Sequence, residues 1–335
     1  MSEALPPFDA VLLLSFGGPE GPGDVMPFLE NVTRGRGVPK ERLDEVAAQY
    51  LSLGGRSPIN DECRSLVRAL SAELERRGPR LPVYWGNRNW HPLLAGTVAQ
   101  MARDGVRRTI AIATSAYSSY SSCRQYLEDI QQARSTVGAS APLIEKIPPY
   151  WESAGFIDTM IEHTRAALHE LAASKSGSDP DSLRLLFTAH SIPSAMAASC
   201  DYLSQLEEAS AIVAAAAAPG LEWDLVFQSR SGQPSVPWLG PDVSDYLRTL
   251  AGDGIRGATL VPIGFVADHM EVIYDLDIRA RAVADSLGIA MTRAACVGSA
   301  PLFVAGLRDL IAAAVPAEGG QSRCRPDCCP APSRH

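Results

Sequence analysis

Short apolar runs ending in glycine, proline or hydroxyl residues alternate along this chain with stretches whose apolar positions recur at helical spacing. Residues 8–16 form the first such run, uninterrupted through Val11-Leu12-Leu13-Leu14 and stopped by Gly17-Gly18-Pro19, which predicts a buried strand. Helical periodicity follows over 25–32, 41–53 and 61–77, then a short strand over 81–85 and a helix over 94–104. Another buried strand covers 109–114, and its exit, residues 115–126, is dense in hydroxyls beside the start of a further helix. Repetition of strand, polar exit and helix predicts a parallel, doubly wound sheet, in which ligands collect at the carboxyl ends of the strands.

The same order returns in the second half. A helix over 156–173 leads through the polar, breaker-rich connection 174–182 to strands at 183–188, 224–228 and 258–263. Between them a helix over 202–218 ends in an alanine run stopped by Pro219-Gly220. The expected fold is α/β, with two similar doubly wound, Rossmann-like lobes of parallel sheet over residues 1–150 and 151–316. The strand exits are expected to face one cleft between the lobes, with the last helix packing on the first lobe and residues 317–335 forming a tail.

Residues 268–277 follow the last apolar run. Drawn as a regular helix, Asp268, Glu271 and Asp275 stand at i, i+3 and i+7 and line one face, while Met270 and Ile273 turn elsewhere. His269 and Glu271 are two apart, so a shared site demands a loop, a first turn or a distorted helix. The same acids would also serve simply as favourable charges near a helix N-terminus. His190 ends a strand of the second half, at the same end of the sheet as the acidic stretch, where the topology puts function. An imidazole and a carboxylate suit a divalent first-row metal, and two protein ligands suit passing it on rather than keeping it.

Composition narrows the classes. With 335 residues, 46% hydrophobic and 20% charged, the chain is globular and long enough for two domains of about 150 residues. A net charge of -8 excludes a nucleic-acid binder, which needs a basic surface to displace counterions. The N-terminal stretch has no basic region or cleavage pattern, and no apolar run approaches the roughly 18 residues of a membrane span, so a soluble cytoplasmic protein is expected. Gly17-Gly18 fits neither dinucleotide nor phosphate-loop spacing, and Pro19 removes an amide; these glycines are expected to let the backbone turn tightly or approach a flat ligand. Of seven cysteines, Cys63, Cys123, Cys200 and Cys296 stand singly, which is no secreted disulfide framework, while Cys324, Cys328 and Cys329 cluster in the tail.

Six stretches then bear on identity: Leu14-Ser15-Phe16-Gly17-Gly18-Pro19, Asn31-Val32-Thr33-Arg34-Gly35-Arg36, Gly54-Gly55-Arg56-Ser57-Pro58, Thr188-Ala189-His190-Ser191-Ile192-Pro193, Gln228-Ser229-Arg230-Ser231-Gly232 with Pro237-Trp238-Leu239-Gly240-Pro241, and residues 262–277. In that order they resemble the ferrochelatases, specifically the actinobacterial type that acts on coproporphyrin III. The resemblance implies a chelatase-type fold and insertion of ferrous iron into coproporphyrin III, giving iron coproporphyrin III in heme biosynthesis with release of two pyrrole protons. It implies that His190 and Glu271 are the catalytic and iron-handling residues, and that Ser57 and Tyr126 contact the porphyrin. Arg34, Arg124 and Trp238, with Arg36, are further porphyrin candidates, since a flat apolar ring with carboxylate edges asks for aromatics, arginines and hydroxyls. Asp268, His269 and Asp275 would relay iron or protons.

Some members of that family carry a 2Fe-2S cluster on a cysteine-rich C-terminus plus one internal cysteine, which here implies Cys123, Cys324, Cys328 and Cys329, with zinc as the competing metal. A downstream heme-pathway enzyme is the implied protein partner. One departure is Phe16-Gly17-Gly18-Pro19 where related monoderm enzymes resemble Tyr-Gly-Thr-Pro, so no axial tyrosinate comes from that position. The competing readings are a protoporphyrin IX ferrochelatase, a chelatase for another metal or tetrapyrrole, and a tetrapyrrole- or metal-binding protein without turnover. Other-metal relatives typically show several metal-binding histidines, whereas only His190 and His269 lie in candidate segments here.

Overall fold

The computed structural model describes residues 8–35, 37–173, 180–231, 235–314 and 328–331. The chain divides into two compact units, one built from residues 1–114, 125–148 and 307–325, the other from 115–124, 149–306 and 326–335. Two exchanges distinguish this from a single cut near residue 150. The segment 115–124 joins the second unit, and the end of the helix Pro301–Ala312 joins the first, where Arg308 donates to the carbonyls of Gly78 (2.6 Å) and Arg77 (2.7 Å).

The first unit holds strands β1 (Ala10–Ser15), β2 (Val83–Asn87), β3 (Arg108–Ala113) and β4 (Leu143–Lys146), all parallel, in the order β2-β1-β3-β4. Every residue of β1 is buried, as expected of a central parallel strand covered on both faces. Leu12 and Leu14 pack with Val98 and Met101 of the helix Leu94–Arg103 and with Tyr126 and Ile130 of the helix Gln125–Val137. Gly17, just past β1, has φ of 80°, and a Cβ there would lie 2.9 Å from the Asn87 Cβ. A Cβ on Gly18 would lie 2.7 Å from that of Ser57. The glycine pair therefore lets the chain turn closely against its own neighbours.

The second unit repeats the winding with β5 (Leu183–His190), β6 (Trp223–Gln228), β7 (Gly257–Val261) and β8 (Ala290–Arg293), in the order β6-β5-β7-β8 and again all parallel. Leu186, Leu260 and Val226 pack under Val243, Leu247 and Leu250 of the helix Val243–Gly252 and under Val272, Leu276 and Ala280. Each such leucine contributes about 2 kcal/mol through removal of its apolar surface from water. In both sheets the chain leaves the central pair in opposite directions, so a crevice opens at the carboxyl ends of that pair. For the second unit these are the ends of β5 and β7.

Candidate active site

His190 is the last residue of β5, and the chain leaving β7 passes directly over it. Gly264 makes this possible: its amide donates to the Thr188 carbonyl (3.1 Å), and a Cβ there would meet the Ala189 Cβ at 2.6 Å. The chain then turns and bends to His269, itself extended, whose Nδ1 accepts a hydrogen bond from the Glu271 amide at 3.2 Å and caps the helix beginning at Met270. The first turn aims Glu271 back at β5, where its Oε2 lies 3.4 Å from His190 Nε2. His269 and Glu271 thus belong to one site through the first-turn geometry that their spacing demanded.

The imidazole is held at two points and the backbone of His190 at a third. Its Nδ1 lies 2.5 Å from the Ser191 carbonyl, Nε2 faces Glu271, and Tyr202 donates its hydroxyl to the His190 carbonyl at 3.0 Å. The His190 and Glu271 side chains keep 33% and 46% of their surface exposed, so both reach solvent. Burial alone would push the His190 pKa down; the hydrogen bond and charge of Glu271, the Ser191 carbonyl and Asp275 outweigh it, and the net shift is upward. For Glu271, burial pushes up but His190 and His269 pull harder, and its pKa falls. Burial keeps His269 below its usual value, favouring the neutral form that a cap acceptor requires.

The acidic stretch is not a single stripe. Asp268 precedes the helix and is gripped by Arg293 (Nη1 to Oδ1 3.0 Å, Nη2 to Oδ2 3.1 Å), which also holds Asp277 at 2.7 and 2.9 Å; Cys296 donates to Asp268 at 3.2 Å. Asp268 therefore anchors the loop to the end of β8. Residues Ile273–Ala280 then widen into a π-helix, a form frequent at functional sites. Asp275, 6% exposed, accepts a 2.5 Å hydrogen bond from Ser229 and lies 3.6 Å from Arg279 Nε. Burial outweighs these partners and raises its pKa.

Three neighbours are not among the site residues expected from the sequence. Ser229 adopts φ of 61°, a conformation rare outside glycine, and this turns its hydroxyl to Asp275. Gln228, 1% exposed, donates to the Glu271 carbonyl at 3.4 Å, and its Oε1 has no hydrogen-bond partner in the described structure. Tyr202 starts the helix Tyr202–Ala217. A serine, a glutamine and a tyrosine gain these roles only from the fold.

The remaining candidates are distributed. Trp238 is half-buried in a segment laced to the residues after His190: Ser191 Oγ donates to the Leu239 carbonyl (2.7 Å) and Ser194 N to the Pro237 carbonyl (2.9 Å), while the indole Nε1 has no partner in the described structure. In the first unit Ser57 is buried, its amide donating to the Pro19 carbonyl at 2.9 Å. Arg34 is exposed in the turn after the helix Val25–Val32, and Phe16 is 38% exposed. Arg36 lies outside the described residues. Tyr126 is 4% exposed, with the Arg88 guanidinium 4.2 Å from its ring centre, and burial pushes its pKa up to about 12. Its ring lies under the Arg88 guanidinium and offers no open face.

Arg124 is engaged elsewhere than expected for a porphyrin carboxylate. Its Nε and Nη2 donate to the Cys328 carbonyl at 3.1 and 2.7 Å, and Nη2 lies 3.7 Å from the Cys328 sulfur. Beside it, buried Cys329 shares a hydrogen bond with Cys200 and feels the charges of Cys123 and Cys328. None of the six described cysteines is in a disulfide. As placed, no three His, Cys, Asp or Glu side chains among the described residues converge on a single ion. A two-iron cluster asks for two thiolates on each iron, and of the described thiols Cys200 and Cys329 share a hydrogen bond. Cys324 lies outside the described residues.

Comparisons with known proteins bear on the chain as a whole. Residues 8–315 match the family model described as Ferrochelatase. A coproporphyrin III ferrochelatase of Mycobacterium tuberculosis is 52% identical over 307 residues, covering 91% of this chain and 85% of the relative. Another, from Streptomyces coelicolor, is 44% identical over 356 residues, covering 97% and 94%. Among solved structures, SirB from Bacillus subtilis with Fe3+ is similar with a TM-score of 0.53 at 13% identity, over 91% of this chain and 95% of that one, a likeness of fold.

Proposed function

The chain belongs to the ferrochelatase family, and from that premise we propose that it inserts ferrous iron into coproporphyrin III, releasing two pyrrole protons. The observation that carries the residue assignment is the His190–Glu271 pair, 3.4 Å apart at the carboxyl ends of the two central strands of its sheet. A nitrogen and a carboxylate oxygen at that spacing are suitable donors for the iron, and two donors are few enough to release it.

With Nδ1–H given to the Ser191 carbonyl, neutral His190 keeps its lone pair at Nε2. That nitrogen takes one pyrrole proton. The second passes to the carboxylates, where burial lets Asp275 hold a proton at a higher pH than an ordinary aspartate. Ser229 and Gln228 hold Asp275 and the Glu271 backbone, while His269 and the Asp268–Arg293 pair fix the turn that presents Glu271. Trp238, Ser57 and Arg34 are the further ring-contacting residues of this reading.

By resemblance to family members with a cysteine-rich C-terminus, Cys123, Cys324, Cys328 and Cys329 would hold a 2Fe-2S cluster; such a group would supply a one-electron redox centre. No helix among the described residues is long and apolar enough to cross a membrane. On this reading the chain works in the cytoplasm and hands iron coproporphyrin III to a downstream heme-pathway enzyme. Anaerobic incubation of the purified chain with ferrous iron and coproporphyrin III tests the proposal: formation of the metalloporphyrin spectrum supports it, and unchanged free porphyrin refutes it.

A further inference from the structure

The acidic face that leads away from the site through Glu271 and Asp275 ends in a cation. Arg279 follows Asp275 by four residues on the widened helix Ile273–Ala280, and its guanidinium stands between two carboxylates. Its Nη2 donates to Asp242 Oδ2 at 2.7 Å, and its Nε lies 3.6 Å from Asp275 Oδ1. Asp242 comes from a different segment, as the residue that caps the helix Val243–Gly252.

The other oxygen of each carboxylate is already taken. Ser229 donates to Asp275 Oδ2 at 2.5 Å, and the Ser244 amide donates to Asp242 Oδ1 at 2.9 Å. Each acid therefore turns one oxygen to a neutral donor and the other to the same guanidinium. Two carboxylate oxygens directed at one point are what a divalent ion with oxygen ligands bridges, so Arg279 holds by its charge the place such an ion would take. The side chains of Asp275, Asp242 and Arg279 keep 9%, 30% and 41% of their surface exposed, so the cation is the part of this cluster most open to solvent. A metal ion arriving from that side is repelled before it reaches Asp275.

We infer that Arg279 is a specificity-determining residue that keeps divalent metal off Asp275. This role rests on the ferrochelatase reading and narrows it: the acid beyond Glu271 carries pyrrole protons, and iron reaches the His190–Glu271 pair without passing along this helix. Asp275 can take up a proton in place, a pyrrole N–H bond breaking as a carboxyl O–H bond forms. A metal ion there would have to displace the guanidinium from both acids.

The test measures Mn2+, an ion suited to carboxylate ligands, by electron paramagnetic resonance on the full chain without porphyrin. Arg279→Ala and Arg279→Gln should bind it at least about tenfold more tightly than wild type, as expected on removing one unit charge about 4 Å from a divalent ion. Adding Asp275→Asn should abolish that gain, and Arg279→Lys, which keeps the charge, should bind as wild type does. A merely structural Arg279 would lower the thermal midpoint and leave Mn2+ affinity unchanged, which overturns the inference. So does abolition of wild-type Mn2+ binding by Asp275→Asn alone, a result that needs no Arg279 variant to fold. In iron insertion, Asp275→Asn should lower kcat and leave the KM for Fe2+ unchanged; a raised KM for Fe2+ with kcat intact would place iron on Asp275 and overturn the inference. Wild type that inserts no iron instead defeats the ferrochelatase reading itself, and with it the assignment of Asp275 to protons, whereas the Mn2+ measurement decides the charge effect without porphyrin.

Discussion

Glu271 faces His190, with 3.4 Å between Oε2 and Nε2, because His269 takes the capping position of the helix and turns the next-but-one side chain toward the end of β5. A carboxylate one position earlier or later would point elsewhere on the turn. The pair is set by backbone features on both strands, the Gly264 crossing on one side and the Tyr202 hydrogen bond on the other.

Replacing His190 by alanine removes the proton acceptor and one iron donor while leaving the residues proposed to hold the ring. Iron insertion should fall by at least about 100-fold, the lower range for a positioned acid–base group. Porphyrin binding, followed by fluorescence quenching, should persist. Insertion at the wild-type rate would remove His190 from the mechanism.

The pH profile follows from the same pair. Neutral His190 is the form that accepts a proton, and its pKa lies above the usual 6.5, so kcat/KM should fall below neutral pH on a limb centred above 6.5. In Glu271→Gln the hydrogen bond and charge of Glu271 that raise the imidazole are lost, while burial, the Ser191 carbonyl and Asp275 remain, so the residual activity should show this limb at lower pH. A limb that stays in place would show that Glu271 does not govern it. For stability the signs differ: the His190 contribution is present below about 6.5 and fades as pH rises through its raised value. The Glu271 contribution is present above its usual 4.5 and fades as pH falls through its lowered value.

Ser229→Gly keeps the left-handed backbone and deletes the hydroxyl that Asp275 accepts. Loss of one hydrogen bond to a charged group, worth about 1.5 kcal/mol, corresponds to roughly a tenfold lower insertion rate. Steady-state assays should place the loss in kcat rather than in the KM for porphyrin. An unchanged kcat would assign Ser229 a purely structural role.

Arg293→Leu leaves Asp268 and Asp277 facing each other without their shared cation. A cost of about 3 kcal/mol is expected for breaking a largely desolvated pair, seen as a thermal midpoint roughly 6–12 °C lower. A midpoint within a degree of wild type would show that the loop carrying Glu271 is anchored by other contacts.

The fold was legible where apolar runs were long. β1, β5 and β7 are buried on both faces and read as continuous hydrophobic stretches, whereas the edge strands Leu143–Lys146 and Ala290–Arg293 are four residues each, include charged members and gave no run. His190 and Glu271 were legible because a strand end and an acid-rich exit lie at the carboxyl end of the sheet. The acidic face was drawn on a regular helix; the structure starts that helix after Asp268 and widens it from Ile273, so Asp268, Glu271 and Asp275 meet different partners. Arg124 read as a candidate for a porphyrin edge; it also donates to a carbonyl more than 200 residues away in sequence, a contact no local spacing encodes. Cys200 read as solitary for the same reason.

The most direct measurement of the central claim is iron insertion into coproporphyrin III and protoporphyrin IX side by side, under anaerobic conditions, with absorbance and proton release recorded together. The account predicts faster turnover of coproporphyrin III, with two protons released for each iron inserted and both signals lost in His190→Ala. Tight stoichiometric porphyrin binding with no metalloporphyrin spectrum and no proton release would contradict it.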